Sequence, residues 1–298
     1  MRMNQTNKGK VMSVSARLLM VVLLMGPILM LAGCESVNLT TLAIAGQNAY
    51  RAATLSSEDV QLLSERARER LDGEHTMAQP GNPYHDRLYR LIDEEERFEN
   101  VTYDIEVYLD DTVNAFALPD GSIRIYSGLM DMMDDDEVLF VIGHEMGHVK
   151  NEDTLDKLRV AYATEAVQAG LASLKNEVGQ VSASWVGELT NALINSQFSQ
   201  LEEKAADDYG LYYLSVRGLP KNASVSALEK LATLGSGHTF LSTHPEPGAR
   251  AERMRERIAS TDAKIIEPKP LEEKGRRTLK DLQEEAVNRT KDLPFRFP

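Results

Sequence analysis

The residues with the clearest chemistry are His144-Glu145-Met146-Gly147-His148. Asp134-Asp135-Asp136 just ahead of them supplies N-cap candidates and negative charge, which predicts a helix over about 137–150. On a helix, histidines at i and i+4 stand on one face about one turn apart, so both imidazoles can reach one metal ion. Glu145 lies about 100° further round, close enough to hold a metal-bound water without being a ligand. This pattern is a zinc-hydrolase signature. Val138 to Ile142 are all apolar and run straight into it, so the helix is expected to be deeply buried. Two histidines and a glutamate in such a place need partners.

A catalytic zinc takes three protein ligands and keeps a fourth position open. His75, His85, His238 and His244 do not complete an H-E-x-x-H-x-x-G-x-x-H pattern, which excludes the three-histidine class. A carboxylate from a later helix is the other option, and Phe198 to Asp207 offers two. Glu203 and Asp207 are i and i+4 on a helix, hence on one face. One can bind metal while the other hydrogen-bonds a ligand histidine. Spacing alone sets this beside an ordinary charge run, because Glu202-Glu203-Lys204 also reads as a solvated face.

The elements that must position these groups are mostly helices. Helical patterns cover about 38–72 and 84–96, then 154–177, 183–197, 199–217, 222–233 and 246–260. Val101, Tyr103, Ile105, Val107 and Leu109 alternate with mostly polar residues, as in a half-buried strand. Val113–Leu118 and Ile123–Tyr126 are two further short runs, separated by the turn tripeptide Pro119-Asp120-Gly121. The fold class is therefore α+β and mainly helical, with one small sheet. An N-terminal helical segment at 34–99 precedes a core at 100–260, and 261–298 is a charged helix and tail.

His144–His148, followed by F-S-x-x-x-E-x-x-A-D at 198–207, resembles the HtpX-type and CAAX-prenyl-protease-type gluzincin metallopeptidases. Asn114 to Gly121, Ser127-Gly128-Leu129, and the late Ser242-Thr243-His244-Pro245 with Arg250 carry the same resemblance. It implies a zincin-like fold in which His144, His148 and Glu203 bind one Zn²⁺. Glu145 would be the general base, Asp207 would orient His144, and His244 would donate to the oxyanion of the reaction. The strand at Ile123–Tyr126 would be an edge strand that pairs with an extended substrate backbone.

The first 33 residues read as an address. Arg2, Lys8, Lys10 and Arg17 precede an apolar run, Leu18–Leu31, of about 14 residues, short of the roughly 20 that cross a bilayer. Leu31-Ala32-Gly33-Cys34 resembles a bacterial lipobox, which implies acylation of Cys34 and a membrane-anchored mature chain, 34–298. Glu35 after the cysteine implies the outer membrane of a Gram-negative cell, facing the periplasm. Cys34 is the only cysteine, so an intrachain disulfide and a cysteine-rich metal site are both excluded. Without the four basic residues of the leader, the net charge of −13 becomes −17, which argues against nucleic acid as a partner. The expected activity is zinc-dependent cleavage of misfolded or misassembled envelope proteins. The competing expectation is a lipoprotein chaperone or assembly factor with a latent zinc site.

Overall fold

The computed structural model describes residues 57–92, 96–154, 197–235 and 238–260. Cys34, the leader, the start of the 38–72 helix, the helices expected within 154–197 and the 261–298 tail lie outside the described residues, apart from a few end positions. Within them, α1 (Ser57–Glu74) and α2 (Pro83–Leu91) precede four strands, β1 (Glu96–Phe98), β2 (Val101–Tyr108), β3 (Ala115–Ala117) and β4 (Ser122–Tyr126). Then come α3 (Ser127–Met132), α4 (Asp135–Lys150), α5 (Gln200–Val216), α6 (Ala223–Ala232), α7 (Thr239–Thr243) and α8 (Pro247–Ala259). None of the described helices is long and apolar enough to cross a membrane.

The sheet order is β1-β2-β4-β3. β2 and β4 run parallel, with Ile105 opposite Ile123 and Val107 opposite Ile125. β3 folds back antiparallel on β4 through the Pro119-Asp120-Gly121 turn, in which Gly121 has φ +91°. The strand at Ile123–Tyr126, expected at an edge, is therefore interior, and β1 and β3 are the edges. All five residues of β4 are buried, as a strand paired on both sides and covered on both faces requires.

The helix expected over 84–96 also stops early, at Leu91, and Glu96–Phe98 instead pairs antiparallel with Val101–Tyr103. Glu99 and Asn100 connect them at φ +51° and +66°, the positive pair that a two-residue hairpin needs. The His75 ring stacks on Tyr108 with centroids 4.5 Å apart. Arg124, only 1% exposed, fastens α1 to the sheet by pairing with both Asp72 and Asp104.

α4 forms for a local reason. The Asp134 side chain accepts from the Glu137 N–H while the Glu137 carboxylate accepts from the Asp134 N–H, a capping box that satisfies two free amides. The same carboxylate pairs with Lys230 of α6 at 2.6 Å. Every residue from Glu137 to His148 is buried, so this helix is the centre of the core and has no solvent face there. α5 begins with a second capping box, between Ser199 and Glu202.

α4 and α5 touch through glycines. A Cβ on Gly147 would lie 2.9 Å from the Ala206 Cα, and one on Gly143 would lie 2.9 Å from the Tyr213 Cβ. This contact sets the distance between the histidines on one helix and the carboxylates on the other, since His148 and Asp207 are the next residues along. Gly147→Ala should therefore push the helices apart, costing about 1–3 kcal/mol of stability. Zinc affinity should fall with it. Urea denaturation and competition with a fluorescent chelator measure the two effects, and an unchanged zinc affinity would contradict this role.

Candidate metal centre

Four side chains from three places converge in the core. α4 supplies His144 and His148, α5 supplies Glu203, and the end of α7 supplies His244. One ligand atom from each lies within 4.8 Å of all the others, and all four residues are buried. The nearest pairs are tighter. His144 Nε2 is 3.1 Å from His148 Nε2 and 3.3 Å from His244 Nδ1. Glu203 Oε1 is 3.4 Å from His148 Nε2 and 2.9 Å from His244 Nδ1. A zinc tetrahedron with bonds of 2.0–2.1 Å has edges of about 3.3 Å, so these separations suit one ion held by nitrogen and oxygen.

The expected charge run at Glu202-Glu203-Lys204 is not a solvated face. Glu202 and Glu203 are both buried, and Glu203 and Asp207 point inward on successive turns of α5. Asp207 Oδ1 lies 3.1 Å from His144 Nδ1, which leaves His144 Nε2 facing the other ligands. Asp207 also receives two hydrogen bonds from Arg250 of α8, from Nε at 3.0 Å and Nη2 at 2.6 Å. Arg250 Nη1 pairs with Glu203 Oε2, which leaves Glu203 Oε1 for the ligand cluster.

The charges are poised accordingly. Burial would raise the Asp207 carboxyl, but Arg250 and the hydrogen bond from His144 outweigh it and hold it at about 2. Glu203 is also buried, yet Arg250, His244 and His148 hold it well below the carboxylate range. His244 goes the other way: burial depresses its imidazolium to about 4, so at neutral pH it is a neutral ring able to bind metal. Burial also opposes the charge on His148, but Asp153 and Glu203 prevail and raise it to about 9.

Glu145 is the other group aimed here. Its carboxylate is 1% exposed, and neither oxygen has a hydrogen-bond partner among the described residues. The nearest charged contact is His244 Nε2, 3.6 Å from Oε1. Two orphaned carboxylate oxygens beside four metal-type ligand atoms fit a site meant to hold an ion and a water. Aromatic rings wall it: Phe198 stacks on His148 at 3.7 Å, and Phe240 stacks on His244 at 4.6 Å.

The structure thus gathers His144, Glu145, His148, Glu203, Asp207 and His244 at one point. His244 stands against both groups: its Nδ1 lies among the candidate ligand atoms, 2.9 Å from Glu203 Oε1, and its Nε2 lies 3.6 Å from Glu145 Oε1. Asp153 was not singled out as a site residue, yet its Oδ2 is 2.8 Å from His148 Nδ1. It comes after α4 has ended, so no helical spacing links it to His148. His85 and His238 stand apart from this cluster.

Residues 80–258 match the sequence pattern of peptidase family M48. The chain is 38% identical over 237 residues to metalloprotease LoiP of Escherichia coli, covering 78% of this chain and 94% of the relative. Metalloprotease YcaL of the same organism is 35% identical over 237 residues, 78% and 93% of the two chains. A protease HtpX homologue of Desulforapulum autotrophicum is 28% identical over 189 residues, 49% of this chain and 60% of the relative.

Proposed function

The chain belongs to peptidase family M48, and from that membership together with its N-terminal leader we propose that it is a lipid-anchored endopeptidase of the periplasm that cleaves misfolded or misassembled envelope proteins. It is a zinc metalloendopeptidase. The observation that carries the chemistry is the convergence of His144, His148, Glu203 and the orphaned Glu145 carboxylate.

His144, His148 and Glu203 would hold the ion. Bound there, zinc supplies Lewis-acid polarisation of the scissile carbonyl and a water acidified to a pKa of about 7. The Glu145 carboxylate would accept a proton from the attacking water and later deliver it to the leaving amine nitrogen. Asp207 keeps His144 in the tautomer whose Nε2 is free, and Arg250 keeps Asp207 and Glu203 ionised.

The substrate class rests on two supports. β3, at the edge of the sheet, packs beside α4, so an extended chain that adds to it would run past the metal helix. Main-chain pairing is tolerant of sequence, which suits unfolded chains rather than one defined peptide. The location rests on the leader and on Leu31-Ala32-Gly33-Cys34. In a Gram-negative host, the wild type should take up labelled palmitate and sediment with outer membranes, and Cys34→Ala should do neither. It should also cleave an unfolded outer-membrane barrel protein and spare the folded form. A soluble wild type, or equal cleavage of both forms, would contradict this reading.

One observation favours the second reading, a chaperone or assembly factor with a latent site. His244 supplies a fourth donor, and a four-donor site is closed where a catalytic one keeps a position open. On that reading hydrolysis would require His244 to leave.

A further inference from the structure

Two carboxylates, not one, stand behind the histidine pair. Asp207, on α5, backs His144, and it is shared with Arg250. The other is Asp153, whose Oδ2 lies 2.8 Å from His148 Nδ1; it is 3% exposed and His148 is fully buried. Resting on the zinc-site reading above, we infer that Asp153 is the positioning residue of His148, fixing which ring nitrogen faces the metal.

The local backbone is built to deliver it. α4 ends at Lys150, and Asn151 closes the last turn by donating its N–H to the Gly147 carbonyl at 2.9 Å. Glu152 then adopts φ +58°, the left-handed region that side chains with a Cβ avoid. That single residue ends the helical path, and the next one, Asp153, returns its carboxylate to the histidine five positions back. A glutamate held in this conformation marks a turn whose geometry the surroundings impose.

The aromatic contact of His148 cannot do this work. Phe198 stacks on the ring with centroids 3.7 Å apart and planes 9° from parallel, which fixes the plane of the imidazole. A stack is indifferent to a half-turn of the ring within that plane, and a half-turn would swap the nitrogens for carbons. Only a hydrogen-bond acceptor at one edge distinguishes the two. With Nδ1–H donated to Asp153, the Nε2 lone pair faces His144 Nε2 at 3.1 Å and Glu203 Oε1 at 3.4 Å. Asp153 touches neither substrate nor ion; it acts through His148.

The test compares zinc affinity in the full-length chain, purified in detergent, for wild type, D153N and D153L, by competition with a fluorescent chelator. D153N keeps an acceptor, and D153L keeps the volume without one. The expected result is a 10- to 100-fold weaker zinc complex for D153L and a loss of less than about tenfold for D153N. Zinc binding by D153L within twofold of the wild type would overturn the inference. So would equal losses in the two variants, since then only burial matters. Should D153L not fold, the cobalt-substituted D153N decides: wild-type visible bands support the role, and the spectrum of a site missing a nitrogen ligand overturns it. A wild-type chain that binds no zinc would instead remove the premise.

Discussion

Glu145→Gln is expected to bind zinc as tightly as the wild type and to cleave unfolded protein about 10²- to 10⁴-fold more slowly. The glutamine keeps the size and the hydrogen-bonding oxygen of the glutamate but cannot accept a proton. Nothing else buried in the cluster can replace it. Asp207 is bound by Arg250 and His144, Glu203 is bound by Arg250 and the histidines, and both Glu145 oxygens are without hydrogen-bond partners among the described residues. Glu145 also lies outside the ligand set, which is why zinc content should not move. Initial rates on labelled casein, with zinc measured on the same samples, give both numbers. Near-normal turnover in Glu145→Gln would remove it from the reaction.

His244→Ala has an expected effect of the opposite sign. Its Nδ1 lies 2.9 Å from Glu203 Oε1 and 3.3 Å from His144 Nε2, close enough to act as a fourth donor to an ion held there. With His244 bound in that way, water and substrate would gain access only from a minor state in which it has withdrawn. If that state is about 1–10% populated, removing the side chain should raise turnover roughly 10- to 100-fold at saturating zinc, while zinc affinity falls. The structure around His244 is small: α7 has five residues, and its last carbonyl, Thr243, accepts from the Phe198 N–H at 2.9 Å. Adding Glu145→Gln to His244→Ala should abolish the gain. A fall in turnover for His244→Ala with zinc retained would instead support the oxyanion-donor role expected from the late Thr243-His244-Pro245 motif.

Much of the centre was legible because it is local. The i, i+4 spacing of His144 with His148, and of Glu203 with Asp207, puts each pair on one face of one helix, and two capping boxes start those helices where the sequence places them. What escaped is what only tertiary structure decides. The parallel pairing of β2 with β4, and hence the exchange of edge between Ile123–Tyr126 and Ala115–Ala117, depends on how a hairpin inserts between distant segments. β1 was hidden because its first residue, Glu96, follows a run of charges that continues a helical pattern; in the fold that carboxylate is buried against Tyr213 and Arg217. Asp153 escaped because one left-handed residue, Glu152, breaks every periodicity between it and His148. The side of the zinc site that His244 takes depends on a loop docking from a hundred residues away.

The most direct test is the digestion of unfolded casein by the full-length chain, followed through chelation and the return of zinc, with metal content measured at each stage. One zinc per chain, cleavage that stops when the metal is removed and resumes when zinc is added back, and no cleavage by His144→Ala at any stage is the predicted result. Cleavage that persists in the metal-free protein, or in His144→Ala, would show that the buried cluster of α4 and α5 is not where the peptide bond is broken.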